Sequence, residues 1–527
     1  MENHPSHLHA DAFPGYPTPD ITGRITTVAC NVAPAQQDIP LARLCMRPIR
    51  IEANTESKDR RYPELPVEMG KPRSTARNDT STGKPHLGAQ WHRAAQAVAS
   101  QSRSCVHRRS ASQGARLIRV LLVVLGLSAA RANASEVPPA GTLVHPTQPG
   151  LTVGVGGQLL LEGKPYRGIG VNYYSLFSGL LADPSSTAYI SGLRQLESHH
   201  IPFARFMATG FWPNDLNLLQ KNPSKYWGLM RDVVRQAQKD HVGLIPDFFW
   251  NSSTVPDLVG EARDQWGNPN SKTIRFMRSY VSQFMKRFAH SPAIWGYEFG
   301  NEYNLAADLP NWRSHGAPIS PARGTPAVRT AADRLTSAEL AVAYKTFAAE
   351  VRKYDPYRII DSGNSVDRIS AWHQRYRHSW GIDSKHEYTQ MLRSLNPAPM
   401  DMTSVHWYAG RRPLPPFQSG HAYLRFLNHI ARRNHQPLFI GEFGVPAPAA
   451  AAAASAAKQA FQSLLRSVIA SGAPLAALWV YDYPKSPAWN TSFNNPRAYQ
   501  LLEVERADEA LTQPLGLKRT ESDTPTP

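Results

Sequence analysis

The sequence predicts an α/β fold of the (β/α)8 TIM barrel type, and three observations point there. Short apolar runs suited to buried parallel strands recur eight times between residues 166 and 481. Stretches with helical periodicity lie between them. The first strand ends Asn172-Tyr173-Tyr174 with no glycine-rich phosphate loop, which argues against a doubly wound open sheet.

The strands are expected at Tyr166–Tyr174, Phe203–Thr209, Gly243–Trp250, Ile294–Gly300, Ile359–Ser362, Thr403–Trp407, Leu438–Glu442 and Ala477–Tyr481. Each is rich in apolar, β-branched or aromatic residues. A helix is expected from Tyr226 to Lys239, with Val233, Val234 and Ala237 on one face. Another runs from Ile274 to Phe288, with Phe276, Tyr280, Phe284 and Phe288 apolar. Two more cover Ala338–Lys353 and His421–Arg433. The alanine-rich stretch Ala449–Ser471 reads as the helix before the last strand. Long excursions after strands four (about 303–336) and five (about 363–400) should shape the catalytic face, where barrel loops that follow strands lie.

Length and composition agree with one large domain plus extras. The chain has 527 residues, 42% of them hydrophobic and 19% charged. This excludes wholesale disorder and coiled coil. A net charge of +17 raises the prospect of an anionic partner. Residues 1–134 hold 18 basic and 10 acidic residues, and residues 135–527 hold 40 and 31. The larger part is only moderately basic, so nucleic acid is not the expected partner. The three cysteines, Cys30, Cys45 and Cys105, all precede the barrel. That excludes a cysteine nucleophile, a CxxC metal site and a disulfide there.

The domain plan follows. Residues 1–105 are rich in Pro, Ser, Thr, Arg and His without period, and read as disorder or as sequence absent from the natural product. Residues 106–134 combine a basic start, the apolar run Val120–Leu127 and Ala132-Asn133-Ala134, the pattern of a secretory signal peptide. Translation from Val106 would place that signal at the N-terminus. Residues 135–150 read as a linker, 151–510 as the catalytic barrel and 511–527 as a disordered tail. No stretch is apolar enough to span a membrane. The expected product is a secreted or periplasmic monomer.

The strand ends carry the chemistry. Strand four runs into Asn301-Glu302, and strand seven ends at Glu442. In a closed barrel these ends converge on one pocket. Two carboxylates facing each other are what glycosidic cleavage needs: one protonates the leaving oxygen, the other attacks the anomeric carbon or activates water.

With this motif the chain resembles clan A glycoside hydrolases, and within them family 5, the cellulase and mannanase family. The resemblance covers roughly residues 150–500. It implies that Glu302 is the acid/base and Glu442 the nucleophile of a retaining mechanism. It also implies that Asn301 bonds the sugar 2-hydroxyl and that Arg205 supports the nucleophile. His406 and Tyr408 match the family's His-x-Tyr, and Trp479 matches the tryptophan under the sugar. Two positions depart from the family's common pattern. Tyr303 follows Asn-Glu in place of Pro, and Asp247–Asn251 ends strand three where many members carry a histidine. On physical grounds, Arg205 should lower the pKa of Glu442, and burial should raise that of Glu302.

Other residues have plainer readings. Glu298 is expected to be an internal structural carboxylate, and Asp247 either a partner of Arg205 or a sugar contact. Trp212, Trp250, Trp266, Trp312, Trp372, Trp380 and Trp489 are expected in loops of the catalytic face, as sugar platforms or as ordinary packing. His373, His378 and His386 lack metal-ligand spacing, and neither metal nor cofactor is expected. The expected substrate is a β-linked glucan or mannan, cleaved in an open cleft or a closed pocket. Transglycosylation at the same site and carbohydrate binding without hydrolysis are the alternatives.

Overall fold

The computed structural model describes residues 149–313, 316–448 and 453–512. The expectations for residues 1–105 and 106–134, for most of the linker and for residues 513–527 lie outside the described residues. Eight parallel strands form the sheet: β1 (Gly168–Asn172), β2 (Phe203–Met207), β3 (Gly243–Phe249), β4 (Gly296–Gly300), β5 (Ile359–Asp361), β6 (Thr403–Tyr408), β7 (Leu438–Gly444) and β8 (Leu475–Leu478). Their hydrogen-bonded order is 5-4-3-2-1-8-7-6, which nearly closes a (β/α)8 barrel. At the remaining seam, Asp401 just before β6 donates its backbone N–H to the Ile360 carbonyl (2.9 Å), and its carboxylate accepts the Ile360 N–H (2.7 Å).

Strand alternation explains both faces of the wall. Ala204 and Phe206 of β2, Tyr297 and Phe299 of β4, and Val405 and Trp407 of β6 point outward into the main core beneath the helices. The helix Lys272–Phe288 buries Ile274, Met277, Tyr280, Val281, Phe284 and Phe288 on one face, and Ser271 caps it by accepting the Ile274 N–H (3.0 Å). Each large apolar side chain buried this way contributes about 1.5–3 kcal/mol.

The inward residues form three layers. The lowest is apolar: Phe203, Ile245, Ile359, Phe439, Leu475 and Ala477 pack with Leu151 and Leu159 of a small antiparallel sheet that covers this end of the barrel. That sheet, Leu151–Val153, Leu159–Leu161 and Lys164–Pro165, was not expected from the sequence. The middle layer is polar and surrounds Arg205. The upper layer is aromatic, with Tyr174, Met207, Trp250, Trp479 and Val480.

Some boundaries differ from expectation. β8 begins two residues early and stops before Trp479, which joins Val480 through a cis peptide bond. The tail expected from residue 511 starts inside a helix, because Ala498–Thr512 packs on the barrel. Asp508 of that helix accepts the Ile169 N–H of β1 (2.7 Å). Burial pushes the Asp508 carboxyl up to about 7 against the lowering effect of that N–H, with Glu509 adding to the rise. Its folded pKa thus exceeds the unfolded value of about 3.9. Its contribution is complete below about pH 4 and is lost as the pH climbs through about 7. Asp508→Asn keeps the acceptor and removes the titration. Relative to wild type, the variant should gain about 2–4 kcal/mol between pH 4.5 and pH 8 in urea titrations. An unchanged difference would refute the assignment.

Candidate active site

Arg205 is fully buried at the centre of the polar layer, on the inward face of β2. Its Nε donates to Glu298 Oε1 (2.7 Å). Nη1 donates to Asn172 Oδ1 (2.7 Å) and Glu442 Oε1 (2.9 Å). Nη2 donates to Asn301 Oδ1 (2.7 Å) and reaches Asp247 Oδ2 (3.3 Å). The Trp250 ring lies over the guanidinium, 4.5 Å away. Burial works against the arginine's charge, but Glu298, Glu442 and Asp247 outweigh it and raise its pKa. Asp247 is therefore a partner of Arg205, and Glu298 is the internal carboxylate that the sequence suggested. Burial, reinforced by the negative Glu298, pushes Asp247 and Asp361 well above the usual carboxylate range. One cation among so many carboxylates obliges some of them to hold protons.

Glu442 reaches this layer through a bulge. Phe439 of β7 faces inward, so strict alternation would turn Glu442 outward. The register with β6 shifts between Ile440, opposite Val405, and Glu442, opposite His406. Gly441 is the extra residue, and the slip turns Glu442 into the barrel. A Cβ at Gly441 would come within 2.9 Å of His406 Nε2.

Glu302 sits just past β4 with φ at +55°, a left-handed conformation uncommon for a side-chain-bearing residue. Its N–H donates to the Gly363 carbonyl (2.8 Å). Gly363 is itself left-handed at φ +68°, and a Cβ there would lie 1.7 Å from the Gly300 carbonyl oxygen. Only glycine permits this close approach of the β4 and β5 ends. The Glu302 side chain is 22% exposed, whereas that of Glu442 is 5% exposed.

β6 supplies the link between the two. His406 Nδ1 is 3.0 Å from Glu302 Oε1 and 3.5 Å from Glu442 Oε2. Tyr408 donates its hydroxyl to Glu442 Oε2. One donor atom each from Glu302, His406 and Glu442 lies within 4.8 Å of the others. These are ligand types that suit a divalent ion, but the hydrogen-bond contacts already account for their spacing.

The charge balance corrects the expectation. Burial pushes Glu442 up, and Glu302 adds to that, so the opposing pull of His406, Arg205 and Tyr408 does not bring it below the usual range. Burial also acts on Glu302, but the hydrogen bond and proximity of His406, the Arg411 charge and a bond from Ser365 outweigh it and lower Glu302. Glu442 is thus raised and Glu302 lowered, the reverse of the order expected.

A family model described as cellulase (glycosyl hydrolase family 5) matches residues 206–480, just over half the chain. The chain belongs to glycosyl hydrolase family 5. Family 5 membership makes it a glycoside hydrolase. Among solved structures it is similar to the endo-1,4-β-mannanase from Rhizomucor miehei, at 15% identity and a TM-score of 0.49, covering 69% of this chain and 99% of that one. It is also similar to the exo-β-1,4-mannosidase Op5Man5 from Opitutaceae bacterium strain TAV5, at 15% identity and a TM-score of 0.46, covering 68% and 62%. The endoglucanase Cel5A from Pseudomonas stutzeri matches at 14% identity and a TM-score of 0.39, covering 64% and 93%. No curated protein matches.

Both departures from the usual family 5 pattern have local explanations. The buried Tyr303 donates its hydroxyl to the Phe249 carbonyl (2.6 Å), tying the end of β4 to β3. Asp247 engages Arg205 from the β3 position. Trp250 and Trp479 stack with centroids 5.8 Å apart, and Tyr174 meets Trp250 edge-on at 5.2 Å, forming an aromatic wall beside Arg205. Trp266 is not on a face open to ligand. It is fully buried, and its Nε1–H donates to the Ser252 carbonyl (2.8 Å).

Sequence reasoning missed Asn172, Ser365 and Arg411. Asn172 was visible as an amide ending an apolar strand. Arg411 binds Ser365 Oγ (3.2 Å), so the loop after β6 meets the excursion after β5 beside Glu302. The excursion after β4 is pinned elsewhere, by Arg329 on Asp257 (2.6 and 2.8 Å) and by Asn214 on the Ala322 carbonyl (3.0 Å). Tyr174, Phe211, Tyr483, Ile319 and Arg323 line a cavity of about 970 Å³ alongside the aromatic wall. Among the described residues no helix is long and apolar enough to cross a membrane.

Proposed function

We propose that this family 5 hydrolase cleaves β-linked glucan or mannan by double displacement, with Glu442 as nucleophile and Glu302 as acid, then base. The observation that carries this reading is the carboxylate pair at the strand ends, with one oxygen of each within 4.8 Å of the other. Inverting pairs stand about 6.5–9.5 Å apart to admit a water, and retaining pairs about 5–5.5 Å. The family description and the names of its neighbours support glucan or mannan as the substrate class.

The contacts divide the roles. Arg205 and Tyr408 both donate to Glu442, which favours its anion and aims it at the anomeric carbon. His406 contacts Oε1 of Glu302, whose side chain keeps 22% exposure, and Glu302 carries the proton to the glycosidic oxygen. Asn301 accepts from Arg205 through its oxygen, and its amide N–H groups serve as donors for the sugar 2-hydroxyl. The reactive form, with Glu442 ionised and Glu302 protonated, holds one proton on the pair. A bell-shaped kcat/KM profile therefore reports the pair, and the partition within it sets height rather than position. Once Glu442 is esterified its charge is gone, and Glu302 serves as base toward water.

The test is stereochemical. Proton NMR of the first product should show the β-anomer before mutarotation. An α-anomer first would mean inversion and would remove Glu442 from the nucleophile's role.

Export through the segment 106–134 is part of the same proposal, supported by its basic, apolar and small-residue order. Protein secreted from a Val106 start should begin at Ser135 or within a few residues of it by N-terminal sequencing. Native mature protein that retains residues 1–105 would refute this.

A further inference from the structure

The positive charge of the barrel is concentrated on one side. Residues 402–481 hold seven arginines and lysines, four histidines and a single carboxylate, Glu442, which lies inside the barrel. Three of these arginines, Arg425, Arg432 and Arg433, are exposed on the helix Gly420–Arg433 together with His429. With Asn428 and Gly472 they line a surface groove of about 540 Å³. Asn428 donates to the Ser471 carbonyl (2.9 Å) and fixes the floor. Among the described residues, none of the three arginines pairs with a carboxylate.

The groove lies where the strands begin. Its helix leads into β7 and Gly472 leads into β8, whereas Glu442 and Glu302 stand at the opposite ends of their strands. It is separate from the catalytic face.

Its chemistry selects a ligand. Guanidinium forks match carboxylate and other oxyanions in bidentate fashion. Arg425, His429 and Arg432 follow one helix face over about 10 Å, which suits repeated charges better than a lone ion. Single-stranded nucleic acid sites add aromatic platforms to a basic groove, and only the His429 ring is available here. A bilayer surface would be gripped by large apolar side chains beside the cations, and the exposed lining offers only the Ala470 methyl.

We propose that this groove docks a carboxylate-bearing polysaccharide, a linear polyuronate, and holds the enzyme on an acidic matrix with its catalytic face free. The test compares two triple variants of the full chain. Arg425→Glu/Arg432→Glu/Arg433→Glu alters the groove. Arg231→Glu/Arg235→Glu/Lys239→Glu changes net charge equally on the exposed face of the helix Pro223–Lys239. The probe is polygalacturonate at low salt. The groove variant should bind about tenfold or more weakly and the control less than about threefold, since only the first removes a local field. Hydrolysis of a neutral soluble substrate and thermal unfolding should be unchanged in both, so a failure of docking is distinct from a failure of the glycosidase reading. Equal weakening of both variants, or no wild-type binding, would overturn the proposal. So would tighter binding of phosphatidylglycerol vesicles or single-stranded RNA through the same arginines.

Discussion

Glu442→Ala should fold as the wild type does and lose turnover by about 10⁴-fold or more, because it removes the group that forms the covalent intermediate. Stability should not suffer. The wild-type carboxylate is buried and raised in pKa, and removing a costly charge from Arg205 leaves that arginine with Glu298 and Asp247. No other carboxylate of β7 can stand in, since Glu442 is the only one in Leu438–Gly444. Steady-state kinetics on a soluble β-glucan and β-mannan, with urea melts alongside, would check both halves. Residual activity within tenfold of wild type would refute the assignment. Glu302→Gln gives the contrast. It should spare an activated aryl glycoside in the first step, because a good leaving group needs little protonation.

The barrel was legible because each inner strand is apolar on its outward face and bounded by helical periodicity. Phe203–Met207 illustrates it: Ala204 and Phe206 serve the outer core, and Arg205 stands out between them as a buried charge. The N-terminal sheet was not legible, because Leu159–Leu161 is too short to display a period. β8 was placed too late because Leu475–Ala477 reads as a continuation of the alanine-rich helix.

The site was legible in its residues but not in its electrostatics. Asn301-Glu302 and Glu442 announce themselves at strand ends. That Glu442 needs a bulge to face inward does not show, because Leu438–Gly444 is apolar on both faces and gives no parity to count. The opposite shifts of Glu302 and Glu442 depend on His406 lying 3.0 Å from one and 3.5 Å from the other, and on Arg411 arriving from a loop. Such distances follow from closure of the ring, which a linear pattern does not specify.

Arg205→Met should destabilise the fold by about 3–5 kcal/mol at pH 7, the cost of stripping buried charges of their partner. Glu298, Asp247 and Glu442 all lean on this one guanidinium, and all are buried. The loss should shrink as the pH falls. Without Arg205 the folded-state pKa of Asp247 and Glu442, already raised, rises further above the unfolded value. Their penalty is then absent at low pH and grows as the pH climbs through the folded pKa. Urea titrations at pH 4.5 and pH 7.5 would show this. A second substitution separates structure from catalysis. Glu298→Gln in the Arg205→Met background removes one orphaned charge and should restore part of the stability. Activity should stay at least about 10²-fold down, because Glu442 still lacks the donor that holds its carboxylate ionised and aimed. If the double variant recovered activity along with stability, Arg205 would be scaffolding alone, and the ionisation of Glu442 would have to rest on Tyr408 and His406.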